Sequence, residues 1–393
     1  MAVAALHPLH RLWRALPQGP RRQVLTGATA LLAPRPDQPP PAVHHGIAVG
    51  GELDRASGLG EGARLMLHAL GQLGVPCWPL RPGMDLPPGA ALVLHTTAPA
   101  LPLALLRLGR ALVRGRRVIG YWNWELPSVP ESWRAGLPFV HEVWAPSRFS
   151  LDALAPVLPG RVRLVPHSVA AHPPAPSALG RADFGLPADA VITLVAFSLA
   201  SSFARKNPLG AITAHAQAFG TRMDRLLLLR VGNPGHFPDD FAQLQAAVAD
   251  LPNVQLDTRT LPMADNHALM AASDIVLSLH RSEGFGLVPA EAMLLGIPVV
   301  ATGWSGNMEF MDADSAALVP YTLIPARDPR GVFEAPGATW AEPDLGAAAM
   351  HLVRLADDPA SRWALGQAGQ QAARSRLGTQ ALADAVRGLG LPA

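Results

Sequence analysis

Two doubly wound α/β domains facing a cleft are what this sequence predicts. Short apolar runs alternate with stretches of helical periodicity, and the alternation occurs twice. The two series are separated by a proline-rich stretch, AAHPPAPSALGRADFGLPADA, at 170–190. Apolar runs joined by helical crossovers read as parallel strands covered on both faces. Two such halves on one chain pack as separate layers about a cleft, with ligands beyond the carboxyl ends of the strands.

In the first half, HHGIAVGG is a strand running into a glycine-rich turn, and 59–73 has helical periodicity. Strands follow at 91–97, 116–122, 142–147 and 162–169, with a helix near 101–114 and another after 147. The second half has strands at 190–198, 225–232, 254–260, 274–280, 298–303 and 316–321. Helices are expected between them at 207–219, 239–250, 264–272, 288–295 and 307–311, and the tail from 340 reads as about three helical segments. The expected units are 1–43 (a basic amphipathic segment and linker), 44–175, 186–375, and a final helix at 376–393 crossing back onto the first domain.

Hydrophobic residues make up 49% of the 393-residue chain and charged residues 16%, enough for packed cores and too apolar for a disordered chain. One cysteine, Cys77, excludes an intramolecular disulfide framework and a Cys-rich zinc site, and fits a reducing, cytoplasmic setting. A formal net charge of +2 gives no case for a nucleic-acid partner. Of the 32 basic residues only Lys206 is lysine, a bias that resembles a GC-rich bacterial genome. A lysine that persists against that bias invites a chemical explanation.

Residues 1–34 contain no signal-peptide run, because Arg11, Arg14, Arg21 and Arg22 interrupt it. Leu6, Leu9, Leu12, Trp13 and Leu16 fall near helical spacing beside Arg11 and Arg14. Two readings stay open: a basic amphipathic helix on an anionic inner-membrane surface, and a helix packed on the protein. No stretch reaches ~18 uncharged apolar residues, so no transmembrane helix is expected.

The densest motif is HRSEGFGLVPAEAMLLGIPVVATGWSGN at 280–307. A strand ends at His280 and Glu283 lies in the loop after it. Gly284, Phe285 and Gly286 form a turn whose backbone admits a close ligand. Pro289 suits the first helical turn, where Glu291 is also expected. The exposed N–H groups there suit a diphosphate. The carboxylate can accept from sugar or ribose hydroxyls, or simply complement the helix dipole. A nicotinamide site does not fit: Pro289 stands where a third glycine belongs, and no acidic residue follows at the required spacing. Phosphate-binding GxxxxGK[ST], GxSxG and HExxH motifs are also missing.

With those residues in view, the second half resembles the retaining GT-B glycosyltransferases of the "group one" family, family four in the usual classification. The family's signature, Glu, seven residues, Glu, stands here as Glu283-GFGLVPA-Glu291. The resemblance implies that Glu283 contacts the transferred sugar and Glu291 the ribose, with Gly284, Phe285, Gly286 and Leu287 lining the site between. Gly303-Trp-Ser-Gly306-Asn307 resembles the family's second phosphate-side loop. FSLASSFARKNPLGAI at 197–212 resembles the loop that binds the donor diphosphate with a basic pair. Lys206 matches one member of the pair. The other member, an arginine five positions earlier, is Ser201 here, and the adjacent Arg205 is the candidate substitute. If the loop is strand-like, Arg205 and Lys206 point opposite ways.

The first half resembles one subgroup of the same family through GYWNWELPSVPESW and HEVWAPSRFSLDAL. There Gly58-Leu59-Gly60 matches the loop closing on the donor phosphates. Glu125 is a candidate for acceptor hydroxyls or the donor sugar, or a buried structural carboxylate. Trp122 and Trp124 suit a sugar face or the core equally. His95, His141 and His280 are weaker candidates.

The resemblance implies a hexosyltransferase moving sugar from a GDP- or UDP-linked donor to a glycan, lipid-linked or other acceptor with retention, in cell-surface polysaccharide synthesis. Catalysis would rest on charge stabilisation at the leaving diphosphate and on acceptor positioning, with front-face departure. Without a DxD-type motif, basic side chains and helix N-termini would replace a metal, and no cofactor is expected. A GT-B epimerase or phosphorylase, and a binding protein without turnover, are the alternatives.

Overall fold

The computed structural model describes residue 27 and residues 29–55, 57–333, 335 and 337–393. Most of the amphipathic segment expected near the N-terminus lies outside these residues. The first domain runs β1 (Ile47–Gly50), α1 (Gly58–Gln72), β2 (Cys77–Pro79), β3 (Ala91–His95), α2 (Leu101–Leu108), β4 (Val118–Tyr121), β5 (Glu142–Ala145), α3 (Arg148–Leu154) and β6 (Val162–Leu164). The strands lie in the order β2-β1-β3-β4-β5-β6, every neighbouring pair parallel. β1, β3 and β4 are buried at every position, because helices cover both faces of the sheet.

The second domain runs β7 (Val191–Ser198), α4 (Phe203–Lys206), α5 (Pro208–Phe219), β8 (Arg225–Gly232), α6 (Pro238–Val248) and β9 (Val254–Asp257). It continues with α7 (Met263–Ala271), β10 (Ile275–Ser278), α8 (Leu287–Leu294), β11 (Val299–Thr302) and β12 (Ala317–Val319). The order is β12-β11-β10-β7-β8-β9, again parallel throughout. The strand order therefore reverses between β7 and β10, and in the first sheet between β1 and β3. Such reversals open a crevice beyond the strand ends, because the flanking loops diverge to opposite faces.

Three segments differ from the expectations. β2 is a three-residue strand too short for a period to show. The helix expected at 307–311 is a single tight turn, Gly306–Glu309. The tail from 340 opens with a strand, not a helix: β13 (Tyr321–Pro325) and β14 (Thr339–Pro343) form an antiparallel hairpin. Its local pattern is unrevealing because its partners are distant. Trp340, Ile324 and Phe333 share one apolar cluster with Trp122, Trp124 and Trp133 of the first domain.

Three helices follow, α9 (Leu345–Asp357), α10 (Pro359–Arg376) and α11 (Gln380–Gly388). Leu382, Val386 and Leu389, on or just after α11, pack with Ile47, Val49 and Leu70 of the first domain. The last helix thus ties the chain's end to the opposite domain. Among the described residues no helix is long and apolar enough to cross a membrane.

Candidate active site

Between the domains lies a cleft of about 1570 Å³, bordered by the ends of β1, β3, β7 and β10. On the second domain, the segment after β7 turns into α4. Ser202 caps that single turn, its Oγ accepting from the Arg205 amide at 3.1 Å. Asn207 ends it in the left-handed region (φ 52°), a conformation asparagine tolerates well. Its side chain donates to the Leu279 carbonyl at 3.0 Å, tying the turn to the end of β10.

Because residues 203–206 are helical rather than strand-like, Arg205 and Lys206 do not point opposite ways. Both reach Glu283. Arg205 Nη1 lies 3.1 Å from Glu283 Oε2, and Lys206 Nζ pairs with Glu283 Oε1. Arg205 is almost wholly buried and also donates to the Ser282 carbonyl and to Ser201 Oγ, each at 2.6 Å. Ser201, the residue at the expected arginine position, thus orients the arginine that takes its place.

Burial opposes ionisation of Glu283, but Lys206 and Arg205 outweigh it and hold the carboxyl at about 2. The loop is braced from behind. Ser305, with φ 80°, accepts the Glu283 amide on its hydroxyl at 2.9 Å, and Gly306 donates its N–H to the Glu283 carbonyl at 2.8 Å. A serine at positive φ costs about 1–3 kcal/mol, tolerated where the surroundings fix it.

That bracing corrects one expectation. Gly306 and Asn307 do not line the cleft. A Cβ on Gly306 would lie 2.2 Å from the Gly284 carbonyl, so glycine is required by loop packing. Asn307 is fully buried, donating to the Thr302 carbonyl and meeting His280 Nε2, each at 3.0 Å. Gly284 is likewise held against the other domain: its carbonyl accepts from Ser147 Oγ at 2.6 Å, and a Cβ would strike Asn123. Phe285, Gly286 and Leu287 do line the cleft.

Glu291 lies in the cleft wall but in the second turn of α8, beyond the reach of a simple dipole role. Desolvation, reinforced by Glu61 on α1 opposite, pushes it up to about 8. Glu61 itself is paired with Arg64 at 2.7 Å. Across the cleft, Ser57 caps α1 and Gly58 borders the space, whereas Gly60 packs against the Glu52 carbonyl and does not line it.

Glu125 meets the cluster from the first domain. Burial pushes it up to about 7 against the pull of Arg205. Asn123 donates to its carboxyl at 3.2 Å, and Ser282 Oγ donates to its carbonyl oxygen. Trp122 is fully buried core, and Trp124 is nearly so, with its indole N–H on the Ser128 carbonyl at 2.8 Å. His141 and His280 serve the scaffold: His141 accepts the Val118 amide at 2.8 Å, and His280 bonds Ser278 and Asn307. His95 borders the cleft, stacked on Tyr121 at 4.2 Å with neither ring nitrogen bonded. Sequence reasoning missed His167, Asn123, Asp328 and Phe333, which also border the cleft. His167, Asp328 and Phe333 sit in no motif with internal spacing to expose them, and Asn123 lies inside GYWNWELPSVPESW two positions before Glu125, with no spacing of its own to single it out. Among the described residues no group of three His, Cys, Asp or Glu is placed to hold a metal ion.

Two six-stranded parallel sheets across such a cleft define the GT-B fold. HepE of Anabaena, solved with UDP and glucose, aligns with a TM-score of 0.63 at 16% identity, over 88% of this chain and 100% of that one. Sucrose-phosphate synthase of Thermosynechococcus elongatus aligns at 0.60 and 18% identity, over 88% and 98%. Residues 193–322, within the second domain, match the family model described as glycosyl transferases group 1. The chain is 31% identical over 235 residues to D-inositol 3-phosphate glycosyltransferase of Acidothermus cellulolyticus, covering 58% of this chain. It spans 50% of the length of that curated relative.

Proposed function

We propose that the protein is a nucleotide-sugar-dependent hexosyltransferase that acts with retention on a hydroxyl acceptor. The observation that carries this reading is the convergence of Lys206, Arg205 and Glu283 where the strand order reverses between β7 and β10. There two cations are held ready for an anionic leaving group, and a carboxylate between them keeps them placed. A donor diphosphate would take over Lys206 and the cleft-facing edge of the buried Arg205, freeing Glu283 for the sugar hydroxyls. Glu291 would accept from the ribose, and the capped start of α1 would close on the phosphates from the other side.

The C1–oxygen bond of the donor breaks with its electron pair going to the diphosphate, where Lys206 and Arg205 stabilise the growing charge. The acceptor oxygen bonds C1 on the same face, and its proton passes to the departing phosphate oxygen. Glu125 and Asn123 stand at the acceptor-side rim to orient the incoming hydroxyl. Matching the diphosphate with side-chain cations leaves no step that calls for a metal. The proposed setting is the cytoplasm or the cytoplasmic face of the inner membrane, which a single cysteine fits, with cell-surface polysaccharide synthesis as the role that the family resemblance implies.

The test is a thermal-shift screen of UDP- and GDP-sugars, followed by donor turnover with mono- and oligosaccharide acceptors and NMR of the product anomer. Stabilisation by one nucleotide sugar, with acceptor-dependent release of its nucleoside diphosphate and a retained anomer, is expected. An inverted anomer would remove the same-face step, and no nucleotide-sugar binding would remove the reading.

A further inference from the structure

The loop leaving β13, residues 326–333, lies beyond the 193–322 stretch that matches the family. It nevertheless borders the cleft through Asp328, Arg330 and Phe333. Asp328 is 1% exposed, and a carboxylate so buried has to be fully partnered. Its Oδ2 accepts from the amides of Val332 and Phe333 at 3.0 and 3.1 Å, which folds the loop around it. Its Oδ1 accepts from Ser202 Oγ at 2.9 Å. Ser202 is the residue whose same oxygen caps α4 by accepting from the Arg205 amide.

Two further contacts fix the same place. Arg330 donates to the Leu199 carbonyl at 2.6 Å, and also to the Ser201 carbonyl and Asp240, pinning the segment that leads into α4. The Phe333 ring centre lies 4.9 Å from the Arg205 guanidinium carbon and 5.6 Å from the Trp124 ring. The loop therefore grips the cation-bearing turn from outside and wedges it against the first domain. A single helical turn of four residues has too few internal hydrogen bonds to hold its own position. Something outside it must set the orientation of Arg205 and Lys206.

We propose that Asp328 is a positioning residue which, through Ser202, sets the orientation of Arg205 and Lys206 toward the donor diphosphate. This rests on the diphosphate reading of those two cations. Asp328 touches no substrate in this arrangement. Its effect appears in recognition of the diphosphate and not of the nucleoside.

Titration calorimetry of UDP, GDP, uridine and guanosine on the full chain tests it, using whichever base wild type binds. Asp328→Ala should weaken the diphosphate by about five- to thirtyfold, the scale of a lost cap, and leave nucleoside affinity unchanged. Ser202→Ala should do the same, and Ser202→Thr, which keeps the hydroxyl, should restore binding. In the Asp328→Ala/Ser202→Ala double variant the loss should be no greater than the larger single loss, because one route carries both. Additive losses, equal weakening of nucleoside and diphosphate, or wild-type diphosphate affinity in Asp328→Ala would overturn the proposal. If Asp328→Ala does not fold, Asp328→Asn keeps the size and one acceptor for the loop amides, and a smaller but equally selective loss is expected from it. Lys206→Ala is measured alongside. If it too leaves diphosphate affinity unchanged, the diphosphate reading itself fails. If it weakens the diphosphate and the Asp328 variants do not, only the positioning role fails.

Discussion

Lys206 donates from its ammonium to the Glu283 carboxylate, although 77 residues separate them in the chain. The pair joins the segments after β7 and β10, the two strands between which the sheet order reverses. A cation so placed is held in register by its carboxylate and is exchangeable to a stronger anion. At ~4 Å and an effective dielectric of ~20, a unit charge pair is worth ~4 kcal/mol before desolvation.

Lys206→Ala should lower donor turnover by at least about a hundredfold, since each ~1.4 kcal/mol of transition-state stabilisation is tenfold in rate. The fold should survive, because the ammonium remains partly solvated. Lys206→Arg keeps the charge but spreads it over a plane, which changes how it meets the Glu283 carboxylate and a diphosphate oxygen. It should remain seriously impaired in steady-state kinetics. A fully active arginine variant would show that charge alone suffices.

Glu283→Gln should abolish turnover while nucleoside diphosphate binds as tightly as before or more tightly, since the internal competitor for Lys206 is gone. Stability should fall, because removing one member of a buried ionic cluster strands the others, a cost of about 3–5 kcal/mol. The pH dependence follows from the depressed carboxyl at about 2. The stabilisation Glu283 gives is full above the ordinary carboxylate pKa and disappears as pH falls from there toward 2. Urea unfolding across that acid range should show wild type converging on the glutamine variant. Equal loss of nucleotide binding and turnover would overturn the assignment to the sugar.

Glu291 gives the opposite sign. Burial and the neighbouring Glu61 hold its carboxyl at about 8, so the folded state favours the protonated form. Between the ordinary carboxylate pKa and about 8, rising pH favours the unfolded chain, which gives up this proton more readily. Glu291→Gln should therefore melt higher than wild type in mildly alkaline buffer without nucleotide, and the gap should close toward acid pH. A ribose binds the ionised carboxylate, so nucleoside diphosphate affinity should rise with pH through about 8 in wild type. That rise should be missing in Glu291→Gln, which should also bind more weakly. Calorimetry in buffers of different ionisation enthalpy would read the released proton. No proton release and unchanged affinity in the variant would remove the ribose role.

Donor turnover should survive treatment with a strong chelator, since Arg205 and Lys206 supply the positive charge at the diphosphate. Loss of activity on chelation, restored by added magnesium or manganese, would show that a divalent ion shares that task.

The alternating pattern alone determined two parallel α/β layers, because strands covered on both faces must be apolar throughout and their crossovers must be helical. Glu283 and Glu291 were legible for a related reason: both lie on one strand-loop-helix unit, where spacing fixes relative position. Lys206 stood out by composition. What the sequence did not determine were contacts made by segments far apart in the chain. Whether Arg205 turns toward Lys206 or away depended on residues 203–206 forming a helical turn, a choice made by the Ser202 cap and by Asp328, more than a hundred residues later. Gly306 and Asn307 carried a motif's appearance but brace the Glu283 loop from behind, which only packing against Gly284 and His280 reveals. The β13–β14 hairpin had no readable period because its apolar face is completed by tryptophans of the other domain. Local periodicity records which face of an element is buried. It does not record which distant element buries it, and the orientation of the cationic turn was decided at that level.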